Sequence, residues 1–276
     1  MIILLFIAFA CGGLILGCLI QQNSIDVLVK QEYQVEEAPA FLQDKKIVQL
    51  SDLHNHSVFY GEDNLATRVR NVDPDYLFLT GDFIDANTTS LDAYDWLFSL
   101  VNEIPTYYIR GNHEYKSSAS ALTSAFEEAF VLQGGINLTG QNVELSPGVY
   151  LSGVPDNEVL INPQDDDAYY DLIKEQLQDI PKEDYLIVLS HRPNSFIDYV
   201  NLGANLIFSG HTHGGQINLG LLSNLLFRII NPFEPLYLGG VFYYQNAVMI
   251  NSRGLGQGSF RLRYAVNNEY WVITFA

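Results

Sequence analysis

Short apolar runs recur along the middle of the chain, and most of them end in a polar cluster. Lys46–Ser51 (KIVQLS), Tyr76–Thr80 (YLFLT), Thr106–Arg110 (TYYIR), Val149–Gly153, Tyr185–Ser190 (YLIVLS) and Leu206–Ser209 (LIFS) are rich in β-branched or aromatic side chains. That composition and length suit buried strands. Helical patterns lie between them, over Asp63–Val72, Leu91–Asn102, Ala119–Leu132, Tyr169–Asp179 and Asn194–Asn201. Strands alternating with helices predict a layered α/β fold, with ligand-bearing loops at the strand C-termini. Ile25, Val27 and Val29 alternate as a strand would, and Tyr243–Ile250 and Glu269–Phe275 read as strands without helices, so the sheets are expected to be mixed. There is no internal repeat and no low-complexity tract.

Met1–Ile20 breaks this pattern: it carries no charged side chain. About 20 apolar residues suffice to cross a hydrocarbon core as a helix. The segment predicts a transmembrane signal anchor over residues 1–20, a juxtamembrane linker and edge strand over 21–44, and one domain over 45–276. The basic start of a cleaved signal peptide is missing. Ile15-Leu16-Gly17-Cys18 only loosely matches a lipoprotein processing site, and lipidation of Cys11 or Cys18 stays open. Between residues 21 and 40 the only basic side chain is Lys30, among Asp26, Glu32, Glu36 and Glu37. Nothing there holds the domain on the cytoplasmic side. A single-pass protein of the cell membrane with an extracytoplasmic domain is the expectation. Both cysteines lie inside the apolar segment, which excludes a disulfide within the domain.

Charge then narrows the partners. The net charge is −18, from 32 acidic against 14 basic side chains, and no Lys/Arg cluster breaks it. Such a surface repels polyanions, so no nucleic acid is expected. No protein partner is inferred.

The chemistry sits in five clusters: Asp52-Leu53-His54, Gly81-Asp82-Phe83-Ile84-Asp85, Gly111-Asn112-His113-Glu114, Ser190-His191 and Gly210-His211-Thr212-His213. Five of the six histidines fall in them, and only His56, read as a solvated loop residue, stands outside. Any one cluster alone is weak; a lone Asp-x-His or Gly-Asp is common on surface loops. Together, imidazoles, carboxylates and an amide oxygen form a ligand set for Mn²⁺, Fe or Zn²⁺ rather than for Ca²⁺. Residues two apart at a strand end share one side of a sheet, which places Asp52 with His54 and His211 with His213. The glycines at 81, 111 and 210 let the backbone turn and approach a metal closely. Asp82 is placed to sit between two ions about 3.5–4 Å apart, as two-metal hydrolases require.

In order and spacing these clusters resemble the calcineurin-like metallophosphoesterase superfamily, whose pattern runs D-x-H, G-D-x-x-D, G-N-H-[D/E], a later His and G-H-x-H. The resemblance covers roughly residues 46–276. It implies a four-layered α/β/β/α sandwich and a centre of two divalent metal ions. Asp52, His54 and His213 would hold one, Asn112, His191 and His211 the other, with Asp82 as the bridge. His113 would assist the leaving oxygen, oriented by Asp85, and a metal-bridging hydroxide would attack phosphorus. The resemblance further implies hydrolysis of a phosphodiester or pyrophosphate bond. Ala86-Asn87 follows Asp85 where the Ser/Thr protein phosphatases carry Arg-Gly, which speaks against protein dephosphorylation. The closest likeness is to the membrane-anchored bacterial phosphodiesterase branch. A phosphomonoesterase shares every ligand, and a catalytically silent metal-binding membrane module is the reading from another class; retention of His113 and Asp85 favours the enzyme.

Two features bear on the substrate. Arg110, Arg192 and Arg253 either contact phosphate or serve surface and packing roles, and the sequence offers both readings equally. Leu219–Phe242 is dense in Leu, Ile and Phe and follows the last ligands, so it either packs as core or forms an apolar lip for a lipid-linked substrate.

Overall fold

Alternation along the central strands decides which face each side chain serves. The computed structural model describes residues 12–13, 17, 28–54, 64–116, 118–216, 237–257, 263 and 265–276. In β2 (Lys46–Leu50) and β3 (Tyr76–Leu79), Val48, Leu50, Leu77 and Leu79 join one core, while Ile47 and Phe78 join another. Every second residue changes sides because strand side chains alternate.

The remaining strands are β1 (Leu28–Val35), β4 (Thr106–Tyr108), β5 (Ile136–Asn137), β6 (Gln141–Ser146), β7 (Val149–Val154), β8 (Tyr185–Ser190), β9 (Ala204–Ser209), β10 (Gly240–Tyr244), β11 (Ala247–Asn251) and β12 (Asn268–Phe275). They form two six-stranded sheets, ordered β1-β12-β2-β3-β4-β5 and β10-β11-β9-β8-β7-β6. In the first, β2 to β5 run parallel and β12 is antiparallel to β2. In the second, β7, β8, β9 and β11 are parallel, and β6 and β10 are antiparallel edges. Both sheets are mixed, as the helix-free C-terminal strands predict.

Three cores follow. One lies between the sheets, where Ile47, Phe78 and Ile109 of the first meet Leu151, Ile187, Leu189 and Phe208 of the second. Helices α1 (Leu65–Val72), α2 (Asp95–Val101) and α3 (Ser120–Leu132) cover the outer face of the first sheet through Val69, Leu97, Leu100, Phe126 and Phe130. Helices α4 (Asp166–Leu177) and α5 (Phe196–Asn201) cover the second through Ile173, Leu177, Phe196 and Tyr199. Helix starts obey local chemistry. Asn64 accepts from Thr67 N at 2.9 Å and Asp165 from Ala168 N at 3.0 Å, each satisfying a first-turn donor. The Asp165 cap explains why α4 begins three residues before Tyr169, where the apolar pattern starts.

Other elements depart from the sequence reading. Leu91–Asn102 is a 3₁₀ turn (Asp92–Tyr94) followed by α2, not one helix. Tyr243–Ile250 is not one strand but parts of β10 and β11, joined at Gln245, whose φ of 52° turns the chain into a hairpin. The expected edge strand is β1, paired only with β12; residues 25–27 of that alternation lie outside the described residues. The expected anchor, residues 1–20, also lies outside them except for Gly12, Gly13 and Gly17. No helix among the described residues is long and apolar enough to cross a membrane.

Candidate metal centre

Each predicted cluster sits just beyond a strand of the two sheets, where side chains leave the core. Asp52 and His54 follow β2, Asp82 follows β3, Asn112 and His113 follow β4, His191 follows β8, and His211 and His213 follow β9. The strand-alternation argument for the paired ligands fails here. Asp52 (φ 52°), His54 (φ 48°), Asp82 (φ 56°), His211 (φ 71°) and His213 (φ 49°) all have left-handed backbone. They lie in turns past the strand ends, and it is the turns that aim both members of each pair. Non-glycine residues adopt this conformation at a cost of about 1–2 kcal/mol each, and such strain gathers at functional sites. Backbone bonds hold it in place: Asp52 N donates to Gly81 O at 3.0 Å and His54 N to Asp82 O at 2.9 Å. His211 N donates to the Asp52 carboxylate, 3.0 Å from Oδ1.

Close approach explains all three glycines: a Cβ on Gly81, whose φ is 89°, would lie 2.5 Å from Gly111 N and 2.8 Å from His191 Nδ1. A Cβ on Gly111 would lie 2.8 Å from His191 Cε1 and 2.7 Å from Asp82 N. A Cβ on Gly210 would collide with Ser51 Oγ and the Asp52 carboxylate.

The turns bring all seven expected ligands together. His54 Nε2 and His213 Nε2 are 3.1 Å apart, and His213 Nε2 is 3.6 Å from Asp52 Oδ1. On the other side, His191 Nε2 is 3.2 Å from both Asn112 Oδ1 and His211 Nδ1. Asp82 Oδ2 serves both sides, 3.4 Å from His54 Nε2 and 3.2 Å from His191 Nε2. Ligands about 2.1 Å from an ion stand about 3.0–3.4 Å apart at neighbouring coordination positions. The observed spacings match that. Donor atoms of Asp52, His54 and His213, and separately of Asp82, His191 and His211, lie within 4.8 Å of one another. His191 Nδ1 meets Thr80 O at 2.8 Å, which fixes Nδ1 as the protonated nitrogen and leaves the Nε2 lone pair facing the cluster. The residues fit a pair of divalent ions.

Electrostatics follow from this crowding. Burial works to raise the Asp82 carboxyl, but His191 and then His54 carry it well below the usual carboxylate range. Burial works to lower His191, and without a competing ion Asp82 overrides it, pushing the imidazole up to about 10; an ion at Nε2 would have to displace that proton. Burial, with cationic neighbours, holds His211 and His213 well below the ordinary histidine value. Those two rings are thereby held neutral, as ligation requires.

His113 and Asp85 are placed differently from the expectation. His113 packs edge-on to His54, ring centroids 4.7 Å apart, and its backbone N donates to Asp82 Oδ1 at 2.8 Å. Burial lowers its imidazole to about 4. Its Nδ1 is buried without a hydrogen-bond partner among the described residues. No hydrogen bond joins Asp85 to His113 Nδ1 among the described residues, although donor atoms of His54, Asp85 and His113 lie within 4.8 Å of one another. The Asp85 carboxylate accepts from Asn87 N at 2.8 Å and lies 3.7 Å from His54 Nδ1. The turn closed by Asn87 and Thr88 points Asp85 at the outer nitrogen of a ligand histidine instead. Asp85 is held below the usual carboxylate range by His54 and the Asn87 amides, against the opposing effect of burial.

Three further residues belong to the site. Glu114 is 2% exposed and accepts four backbone N–H bonds: from Asp82 and Gly111 at Oε2, and from Phe83 and Ile84 at Oε1, all between 2.7 and 3.0 Å. Burial and the Asp82 charge push its carboxyl up to about 7. Arg263 is wholly buried, and its Nη2 stands 3.0 Å from His213 Nδ1. Arg192 Nη1 stands 2.9 Å from His211 Nε2. The other two arginines offered for phosphate are engaged elsewhere: Arg110 with Glu127 at 2.6 Å and Arg253 with Glu269 at 2.7 Å. His56 lies outside the described residues, as do residues 219–236 of the apolar Leu219–Phe242 stretch. The described end of that stretch packs inward: Tyr237 meets Phe196 and Phe242 edge-on at 5.9 and 4.9 Å.

The calcineurin-like phosphoesterase sequence model matches residues 45–215, the span that holds all five clusters. The chain belongs to the calcineurin-like phosphoesterase family. It is 26% identical to the uncharacterized metallophosphoesterase YkuE of Bacillus subtilis over 83% of this chain and 78% of that one. A metallophosphoesterase of Campylobacter jejuni is 31% identical over 66% of this chain and 47% of its own length. A bovine transmembrane protein with a metallophosphoesterase domain is 30% identical over 73% of this chain and 47% of its own. The chain thus spans about half the length of these last two. Among solved structures, TT1561 of Thermus thermophilus aligns with a TM-score of 0.46 at 12% identity, over 78% of this chain and 91% of that one. Metal-dependent phosphoester hydrolysis is the chemistry of this calcineurin-like phosphoesterase.

Proposed function

We propose that this phosphoesterase hydrolyses phosphodiester bonds at a centre of two divalent ions, of the Mn²⁺, Fe or Zn²⁺ kind. Asp52, His54 and His213 hold one ion, Asn112, His191 and His211 the other, and Asp82 is shared. The observation that carries this is the single oxygen Asp82 Oδ2, within 3.4 Å of a nitrogen from each set. Bound there, the ions supply Lewis acidity towards the phosphoryl oxygens and lower the pKa of water. The protein's own groups do the rest. His113 lies beside both sets without joining either, free to hold or pass a proton at the leaving oxygen. Asp85, 3.7 Å from His54 Nδ1, orients that ring, as outer carboxylates do for ligand histidines.

A diester is favoured over a monoester or pyrophosphate by the cations at hand. Two guanidiniums touch the cluster: Arg263 is wholly buried behind His213, which leaves the partly exposed Arg192 to meet substrate, and Asp156 partly neutralises it. One compensated guanidinium suits a singly charged diester better than a dianion. Turnover of bis(4-nitrophenyl) phosphate and 4-nitrophenyl phosphate, with Mn²⁺, Fe²⁺ and Zn²⁺ in turn, tests the reading. The diester is expected to have the higher kcat/KM; a monoester preference with every metal rejects it.

A further inference from the structure

A cavity of about 440 Å³ opens beside His211. Arg192 forms the shared wall, lining the cavity while its Nη1 reaches His211 Nε2 at 2.9 Å. Its pose is fixed from behind, where Nε donates at 2.9 Å to Oδ2 of Asp156, whose side chain has no exposed surface. The cavity and the metal ligands therefore meet at one immobilised guanidinium.

The other walls say what the space accepts. Asn157, Gln164 and Asn194 present amides, and Glu158, Asp166 and Asp198 present carboxylates. An acyl chain would strip these polar groups of water without replacing their hydrogen bonds. A second phosphate would face three carboxylates and a guanidinium already paired with Asp156. Asn157 is locked on the wall, its Nδ2 donating to Pro163 O at 2.9 Å. Amides and carboxylates together offer many acceptors and few donors, and hydroxyl groups are the complement.

We propose that this cavity is the subsite for one alcohol half of the substrate, and that it takes a hydroxyl-rich alcohol of the glycerol or sugar kind. The proposal rests on the phosphodiesterase reading. Arg192 is then the specificity-determining side chain at the junction, with the phosphate on one side and the alcohol on the other.

Three 4-nitrophenyl phosphodiesters sharing one leaving group test it, with glycerol, ethanol or choline as the second alcohol, assayed on the full chain with Mn²⁺, Fe²⁺ or Zn²⁺. The glyceryl ester is expected to exceed the ethyl ester about tenfold in kcat/KM, as one or two additional neutral hydrogen bonds give. The advantage should lie in KM and shrink to about threefold or less in Gln164→Leu and in Asn194→Leu. Both positions are exposed, so either variant serves if the other folds poorly. Equal rates for glyceryl and ethyl esters would overturn the subsite while leaving the diesterase reading standing. Preference for the choline ester would make the cavity a cation site and reject the hydroxyl assignment. Absence of turnover for all three esters with every metal would remove the diesterase reading and this proposal together.

Discussion

Glu114→Gln probes how the loops that carry Asp82 and Asn112 are held together. The carboxylate accepts two backbone N–H bonds at each oxygen, from Asp82 and Gly111 at Oε2 and from Phe83 and Ile84 at Oε1. All four donors aim at oxygens, so the ionised form is the one that satisfies them, although burial and Asp82 push the carboxyl up to about 7. Glutamine keeps the shape and one oxygen but turns an NH₂ towards two of the donors. Those two N–H groups are then left unsatisfied in a site only 2% exposed. At about 1–3 kcal/mol for each buried orphan, the loss is about 2–6 kcal/mol, with no cavity to confuse its cause. Urea unfolding of the metal-free chain at pH 8, where the wild-type carboxyl is ionised, measures this directly. The midpoint should fall with an unchanged slope, and Mn²⁺ affinity should weaken as the two loops separate. A loss below about 0.5 kcal/mol would refute the four-bond account.

Other perturbations separate the remaining roles. His113→Ala should retain bound metal but lose about 10²–10⁴-fold in turnover, less for esters with acidic leaving groups; an equal loss across leaving groups would rule out proton donation. Asp85→Asn should weaken metal affinity about 10–100-fold through His54, measured by competition with a chelating dye, and unchanged affinity would reject the orienting role. Phe126→Ala should cost about 3–5 kcal/mol in urea unfolding, because its ring lies within 6.3 Å of Phe83, Tyr94, Phe98, Tyr108 and Phe130; a loss under about 1 kcal/mol would mean the cluster repacks around the gap.

The strands and the clustering of the candidate ligands were legible for the same physical reason. A buried central strand must be apolar on both faces, so KIVQLS and YLIVLS declare themselves, and a metal site needs residue types that are rare in combination. Partner geometry was less legible. Asp85 stands 3.7 Å from His54 Nδ1 because the Asn87 turn sets its direction, which spacing does not encode. Glu114 stood inside a recognised cluster, but three of its four partners are backbone groups of another loop, and backbone donors carry no sequence signature. Arg263 lies 50 residues beyond the histidine it touches. The apolar pattern also hid the hairpin between β10 and β11, since a turn at Gln245 lacks the usual glycine.

The central claim is that Asp82 joins two ions in one site, and metal content after loading tests it most directly. Elemental analysis of the wild-type chain, dialysed from excess Mn²⁺ or Zn²⁺, should give two ions per chain. Asp82→Ala removes the only oxygen that approaches both His54 and His191 among the described contacts, and it should hold fewer than one ion and lose nearly all activity in parallel. Two ions retained per chain by that variant would contradict the account.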